Sequence, residues 1–223
     1  MKALTENEKQ SLIDLVEVLV ENGFEQALEV SGWEKHAREW AGQHHQLLNR
    51  LGCYVTCGAT RVVVISNKDD WVLKFSFLDS LVKTDYNLLE AENYQAAIEA
   101  GLSRYFAATY CLGIICGLKV YAQERVNADE DGVSDEFYTY TLENYYRDRR
   151  DDYESEDDLH EAAWEDSTEL DNEDRIWAMV GGFDSKDCMK LVKFCDAREI
   201  NDLHAANWGF RDGWPVMIDY AGY

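Results

Sequence analysis

Asn201-Asp202-Leu203-His204-Ala205-Ala206-Asn207-Trp208-Gly209, followed by Val216-Met217-Ile218-Asp219-Tyr220-Ala221-Gly222, is the stretch from which the rest of the chain is read. It sets an acid, Asp202, five residues ahead of an amide, Asn207. A second acid, Asp219, follows twelve residues later at the end of an apolar run. Carboxylate and amide oxygens are hard ligands that suit Mg²⁺, whereas sulfur and imidazole do not. Phosphoryl transfer from ATP needs such a set. One carboxylate positions the attacking hydroxyl, and an amide oxygen with a second carboxylate holds the magnesium that bridges the phosphates.

Outward from this stretch the pattern is mixed helix and strand. Residues 185–199 (Cys188, Met189, Leu191, Val192, Cys195) form a compact helix. Residues 127–184 are crowded with Asp and Glu but interrupted by Tyr138, Tyr140, Tyr145, Tyr146, Trp164 and Trp177. A disordered linker rarely keeps so many aromatics, so this segment reads as a helical insert, with 159–180 its clearest helix. Upstream, 53–58 holds Gly58 among small and β-branched residues, and 61–65 (Arg-Val-Val-Val-Ile) and 71–77 (Trp-Val-Leu-Lys-Phe-Ser-Phe) are strands joined by the turn 67–70 in an antiparallel hairpin. A helix over 85–100 ends at Gly101, and strands near 105–116 and 118–126 turn at Gly117. The first fifty residues give two helices. One covers 5–22, with Thr5 and Glu8 as a capping box, apolar Leu12, Leu15, Val16 and Leu19 at helical spacing, and a stop at Gly23. The other covers about 32–50, with Trp33, Trp40, Leu47 and Leu48 towards a core and His36, His44 and His45 as ordinary surface or interface residues.

The D-L-H-x-x-N run at Asp202–Asn207 resembles the catalytic loop of the protein-kinase superfamily, and looks most like its aminoglycoside and choline phosphotransferase branch. The resemblance implies Asp202 as catalytic base and Asn207 as a metal ligand. Asp219-Tyr220-Ala221 loosely matches the Asp-Phe-Gly element, which makes Asp219 the main Mg²⁺ ligand. Val72-Leu73-Lys74 resembles the strand that presents the phosphate-binding lysine. Lys74 then needs a glutamate from the following helix, which offers Glu90, with Glu92 as the competing choice. Val120–Val126 looks like the last strand running into the hinge, where Glu124 and Val126 would offer backbone hydrogen bonds to adenine.

The implied fold is α+β and protein-kinase-like. Its parts are an N-terminal helical extension (1–50), an antiparallel N-lobe sheet with one key helix (51–126), the acidic insert (127–184), and a reduced helical C-lobe with the catalytic loop (185–223). The resemblance covers 51–126 and 185–223, roughly half of the chain. It departs from the family in three places. Gly52 and Gly58 remain where Gly-x-Gly-x-x-Gly is expected, and the resemblance implies Gly58 as a nucleotide contact. Ile200-Asn201 stands where protein kinases have His-Arg. The match ends at Tyr223, where a full kinase continues into an activation segment and substrate-binding helices. Short chains of this kind look similar to kinase-like proteins carried by bacteria and their phages.

Composition narrows the alternatives. A net charge of −23 argues against direct binding to nucleic-acid phosphates, which requires clustered lysine and arginine. No run of about 18 apolar residues suggests a membrane span, and the start lacks a signal peptide's apolar core, so a cytoplasmic protein is expected. The six cysteines show no C-x-x-C pair and read as buried free thiols. Three functions fit. The first is an ATP- and Mg²⁺-dependent phosphotransferase acting on a protein hydroxyl or on itself. The second is a small-molecule kinase, suggested by His204. The third is a kinase-like binding protein whose acidic surface engages a basic partner. The oligomeric state is left open.

Overall fold

The computed structural model describes residues 2–29, 34–58, 60–68, 70–78 and 84–221. Trp33, Asp69 and Gly222 fall outside them. The architecture is α+β: eight α-helices among the described residues, a five-stranded antiparallel sheet and a separate two-stranded hairpin. The chain divides into two units, Met1–Ala96 with Ala107–Arg125, and Ala97–Phe106 with Val126–Tyr223. None of the helices described is long and apolar enough to cross a membrane.

In the first unit, α1 (Glu6–Glu21) starts as the sequence predicts. The Thr5 hydroxyl accepts the Glu8 N–H at 3.2 Å, and a Glu8 carboxylate oxygen accepts the Thr5 N–H at 2.8 Å. The other Glu8 oxygen accepts the Trp71 indole N–H at 3.0 Å, which ties the cap to the sheet. Leu12, Val16 and Leu19 are buried, while Leu15 is only partly covered. The second predicted helix is two: α2 (Glu34–Gln43) and α3 (His45–Leu51). Gly42 weakens the helix interior near the break. His44 then folds its ring back onto Trp40, at 4.4 Å between centroids, and its Nδ1 pairs with the Trp40 carbonyl at 2.9 Å.

The sheet comprises β1 (Cys53–Cys57), β2 (Arg61–Ser66), β3 (Trp71–Ser76), β4 (Thr109–Ile115) and β5 (Leu118–Glu124), in the order β1-β2-β3-β5-β4. The strand predicted from 105 begins only at Thr109, because Ser103–Tyr105 is a 3₁₀ turn. Central β3 is buried from Trp71 to Phe75. With a two-residue period, Trp71, Leu73 and Phe75 share one face and Val72, Lys74 and Ser76 the other. Phe24, from a 3₁₀ turn at Phe24–Leu28, packs edge-on against Phe75 at 5.0 Å and against Trp40 at 5.1 Å. The N-terminal helices therefore belong to the core behind the sheet. The Lys74 face is covered by α4 (Tyr86–Glu99).

Asp85 begins α4 by accepting the Leu88 N–H at 3.2 Å, and it also takes bonds from Ser76, Lys119 and Tyr121. Burial works against its charge, yet the bonds from Lys119, Tyr121 and Leu88 outweigh it and hold the carboxyl below its ordinary value of 3.8.

In the second unit the acidic segment is helical, but not as one long helix. It forms α5 (Glu130–Tyr145), α6 (Glu156–Thr168) and α7 (Asn172–Val180). The predicted 159–180 helix breaks because Asp171 caps a new helix by accepting the Asp174 N–H at 2.9 Å. The aromatics hold the segment together. Tyr146, Leu159 and Ala163 make a small core. Tyr140 and Tyr145 donate to Asp174 at 2.9 and 2.5 Å, and Tyr146 donates to Asp166 at 2.5 Å. The bond to Asp174, with burial added, pushes the Tyr145 phenol up to about 12. Helix α8 (Ser185–Ala197) packs on α7. Hairpin β6 (Trp208–Arg211) and β7 (Trp214–Met217) follows, turning on Asp212 and Gly213 with φ of 52° and 80°.

Cys53, Cys188 and Cys195 are buried and Cys57 is half-covered, but Cys111 and Cys116 are exposed on β4 and its turn. The expectation of uniformly buried thiols is corrected here. Hairpin edges carry little packing, so nothing covers the second pair.

The Asp85 carboxylate makes a pH prediction. A depressed folded-state pKa contributes stability at neutral pH that is lost as pH falls below the ordinary carboxylate value of 3.8. Asp85→Asn is expected to flatten that acid limb while lowering stability at pH 7, which denaturant melts from pH 2 to pH 7 will show.

Candidate functional site

The first unit places Lys74 and Glu90 together. Lys74 Nζ donates to Glu90 Oε2 at 2.8 Å, with the lysine side chain 7% exposed and the glutamate 0%. Strand β3 supplies the lysine because its even positions face α4; α4 supplies the glutamate because position 90 lies on its covered face. Glu92 points to solvent, so the choice between the two falls on Glu90. Tyr94, one turn later, is buried as well.

Glu90 has further partners that sequence reasoning did not name. Arg61 Nη1 donates to Oε1 at 2.7 Å and to Asn87 Oδ1 at 3.1 Å. Gln123 Nε2, on β5, reaches Oε2 at 3.3 Å and Thr109 Oγ1 at 3.0 Å. Asn87 in turn donates to Ser76 Oγ at 3.0 Å. Arg61, Asn87, Thr109 and Gln123 are buried, and Ser76 is half-buried. The signal available in the sequence was a charged residue opening an otherwise apolar strand, Arg61 before Val-Val-Val-Ile. Such a residue is buried only when paired.

The predicted nucleotide-contacting positions fare differently. The Gly58 N–H donates to the Arg61 carbonyl at 3.0 Å, so it closes the turn rather than facing a phosphate. A Cβ built on Gly58 meets nothing within 4 Å, which leaves open space beside it. The Glu124 N–H donates to the Ala108 carbonyl at 2.8 Å, and its carboxylate accepts the Ala108 N–H at 3.2 Å. The backbone amide of Glu124 is thus engaged within the first unit. Val126 is half-buried in the second unit.

The second unit holds Asp202, Asn207 and Asp219. Asn207 is buried, and its Nδ2 donates to the Asp202 carbonyl at 2.7 Å. That bond fixes the amide and makes Oδ1 the atom through which this side chain would bind a cation. The Ile218 N–H donates to the Asn207 carbonyl at 2.9 Å, joining the loop to the segment that carries Asp219. Trp208 locks the loop from below, its indole donating to the Leu203 carbonyl at 3.1 Å. Gly209 follows because nothing larger fits. A Cβ there would lie 2.8 Å from the Asn127 carbonyl oxygen. Asp219 is half-buried, and Tyr220 beside it packs edge-on against Phe106 at 5.1 Å.

Asp202 is about a third exposed, and His204 Nε2 lies 3.7 Å from its Oδ1, too far for a hydrogen bond. Arg175, on α7, is a further neighbour. Burial lowers its pKa, while attraction to Asp202, Glu169 and Asp171 pulls it back up. Its Nη2 donates to the Thr168 carbonyl at 3.1 Å, and its buried Nε makes no hydrogen bond among the described residues.

The structure thus brings Lys74 to Glu90 in one unit and Asp202 to Asn207 in the other. No described group of three or more His, Cys, Asp or Glu side chains forms a ready-made metal cage. A magnesium ion that rides on nucleotide phosphates needs only one or two protein carboxylates, and the donor set of Asn207 and Asp219 fits that requirement. Neither a protein-family model, nor a curated protein, nor a solved structure matches the chain.

Glu90→Gln removes the carboxylate shared by Lys74 and Arg61. Breaking a buried ion pair from one side costs about 3–5 kcal/mol. Urea unfolding of this variant is expected to show a loss of that size, and a loss under about 1 kcal/mol would mean that the cluster is not the keystone described.

Proposed function

We propose that the chain is an ATP- and Mg²⁺-dependent phosphotransferase of protein-kinase-like type, acting on a protein hydroxyl or on itself. The observation that carries the reading is the buried Lys74–Glu90 pair, made between the third strand of an antiparallel sheet and the helix that follows it. Burying a lysine and a glutamate is expensive, and a chain has little reason to do so for stability alone. A lysine held at a fixed point is what triphosphate binding asks for. The sheet order β1-β2-β3-β5-β4, with α4 between β3 and β4, supports the same reading.

In this reading Lys74 binds phosphate oxygens and Glu90 orients it. Asp202 accepts the proton of the acceptor hydroxyl as its oxygen attacks the γ-phosphorus of ATP, the bond to the bridging oxygen breaks and ADP leaves; a carboxylate one-third exposed can be reached by a substrate for this step. Asn207 Oδ1 and the Asp219 carboxylate would hold magnesium, which neutralises charge on the phosphates. The bond from Asn207 Nδ2 to the Asp202 carbonyl supports that role for Oδ1, the side chain's oxygen donor.

The second reading is a kinase-like binding protein that engages a basic partner through its acidic face. The engaged Gly58 amide favours it, since a glycine loop that closes on itself gives the phosphates no amide there. One experiment separates the two. Purified wild type and Asp202→Ala are compared for ADP release and for transfer of labelled phosphate, alongside binding of Mg²⁺ with a non-hydrolysable ATP analogue. A lost general base is expected to cost about 10²- to 10⁴-fold in rate with analogue binding unchanged. Equal turnover by both proteins rejects the assignment of Asp202, and no turnover by wild type favours the binding protein.

A further inference from the structure

We propose that Arg61 is a positioning residue for the phosphate-binding lysine, and that it sets the affinity for the polyphosphate of a nucleotide in place of a glycine-rich loop. The inference rests on the phosphotransferase reading and deepens it.

Three observations carry it. Arg61 stands at the first position of β2, immediately after the β1–β2 turn, and its own carbonyl closes that turn on the Gly58 N–H. Its side chain crosses to α4, where one nitrogen reaches both Glu90 Oε1, at 2.7 Å, and Asn87 Oδ1, at 3.1 Å. Glu90 offers its two oxygens to two cations, Oε1 to Arg61 and Oε2 to Lys74. A carboxylate anchored through one oxygen by a planar, permanently charged guanidinium cannot swing about its terminal bond. The other oxygen then meets Lys74 Nζ at one place.

The consequence is a relay from turn to lysine. The β1–β2 turn is fixed to Arg61 by main-chain and side-chain bonds, Arg61 to Glu90, and Glu90 to Lys74. Where backbone amides of a glycine-rich loop would grip phosphates, here the Gly58 amide is spent on the turn. The arrangement shifts the work of holding phosphates onto a lysine whose position the turn dictates. Arg61 is not itself a catalytic residue, because it acts through Glu90 and Lys74.

Isothermal titration of the full chain with Mg²⁺ and AMP-PNP tests this, with adenosine as the phosphate-free control. Arg61→Gln is expected to weaken AMP-PNP binding about tenfold and leave adenosine binding as in the wild type. In a Lys74→Met background the same change is expected to add nothing, because the residue acts through the lysine. Arg61→Lys keeps the buried charge without the guanidinium fork. It should fold even where the glutamine variant does not, and is expected to show a smaller loss in the same direction. Unaltered AMP-PNP binding by Arg61→Gln and Arg61→Lys overturns the proposal. So does an equal loss for adenosine, or a full further loss in the Lys74→Met background. Wild type that binds neither AMP-PNP nor adenosine rejects the phosphotransferase reading itself.

Discussion

A carboxylate with no exposure to solvent is an unstable thing unless cations come to it, and Glu90 is such a carboxylate. Much of the first unit is arranged around that requirement. Strand β3 delivers Lys74, β2 delivers Arg61, and β5 delivers Gln123, so three neighbouring strands each spend a polar side chain on one residue of α4. The antiparallel register makes this possible. Arg61 lies opposite Ser76 and Val63 opposite Lys74, which puts the charged groups of two strands on the face that α4 covers. A one-residue slip of β2 would turn Arg61 to the other face, where Phe24 and Trp40 pack. Register, helix docking and the ion cluster therefore specify one another.

The second unit is ordered differently. Its acids are not merely a solvated coat, for Asp166 and Asp174 accept bonds from tyrosines, and Asp171 and Asp184 cap helices. Tyrosine is suited to this role, since its ring fills a small core while its hydroxyl finds a carboxylate at the edge. The loop from Asp202 to Asn207 is held by main-chain and indole bonds rather than by charge.

Strands and first helices were legible in the sequence because their signals are local. Thr5 with Glu8 spells a capping box, and Arg-Val-Val-Val-Ile and Trp-Val-Leu-Lys-Phe spell buried strands. The pairing of Lys74 with Glu90 rather than Glu92 was open at that level, because both lie within one turn and only docking of α4 decides. Helix breaks were missed. At His44 and at Asp171 the interruption depends on a side chain bending back to the backbone, which periodicity does not register. The hairpin at Trp208–Met217 was missed although Asp212-Gly213 is a strong hairpin turn signal. Arg61 went unnoticed for a deeper reason, that a basic residue at a strand's start looks solvent-facing until its partner on a distant helix is known.

The unequal covering of the cysteines divides them into two chemical populations. Cys188 and Cys195 sit on the inner side of α8, where burial pushes the first thiol up to about 11 and the second higher still, so neither forms thiolate at neutral pH. Cys111 and Cys116 lie open on the β4–β5 hairpin. A thiol-directed fluorophore or spin label would thus attach preferentially at that edge of the sheet, giving a spectroscopic reporter on the lysine-bearing unit without any engineered residue.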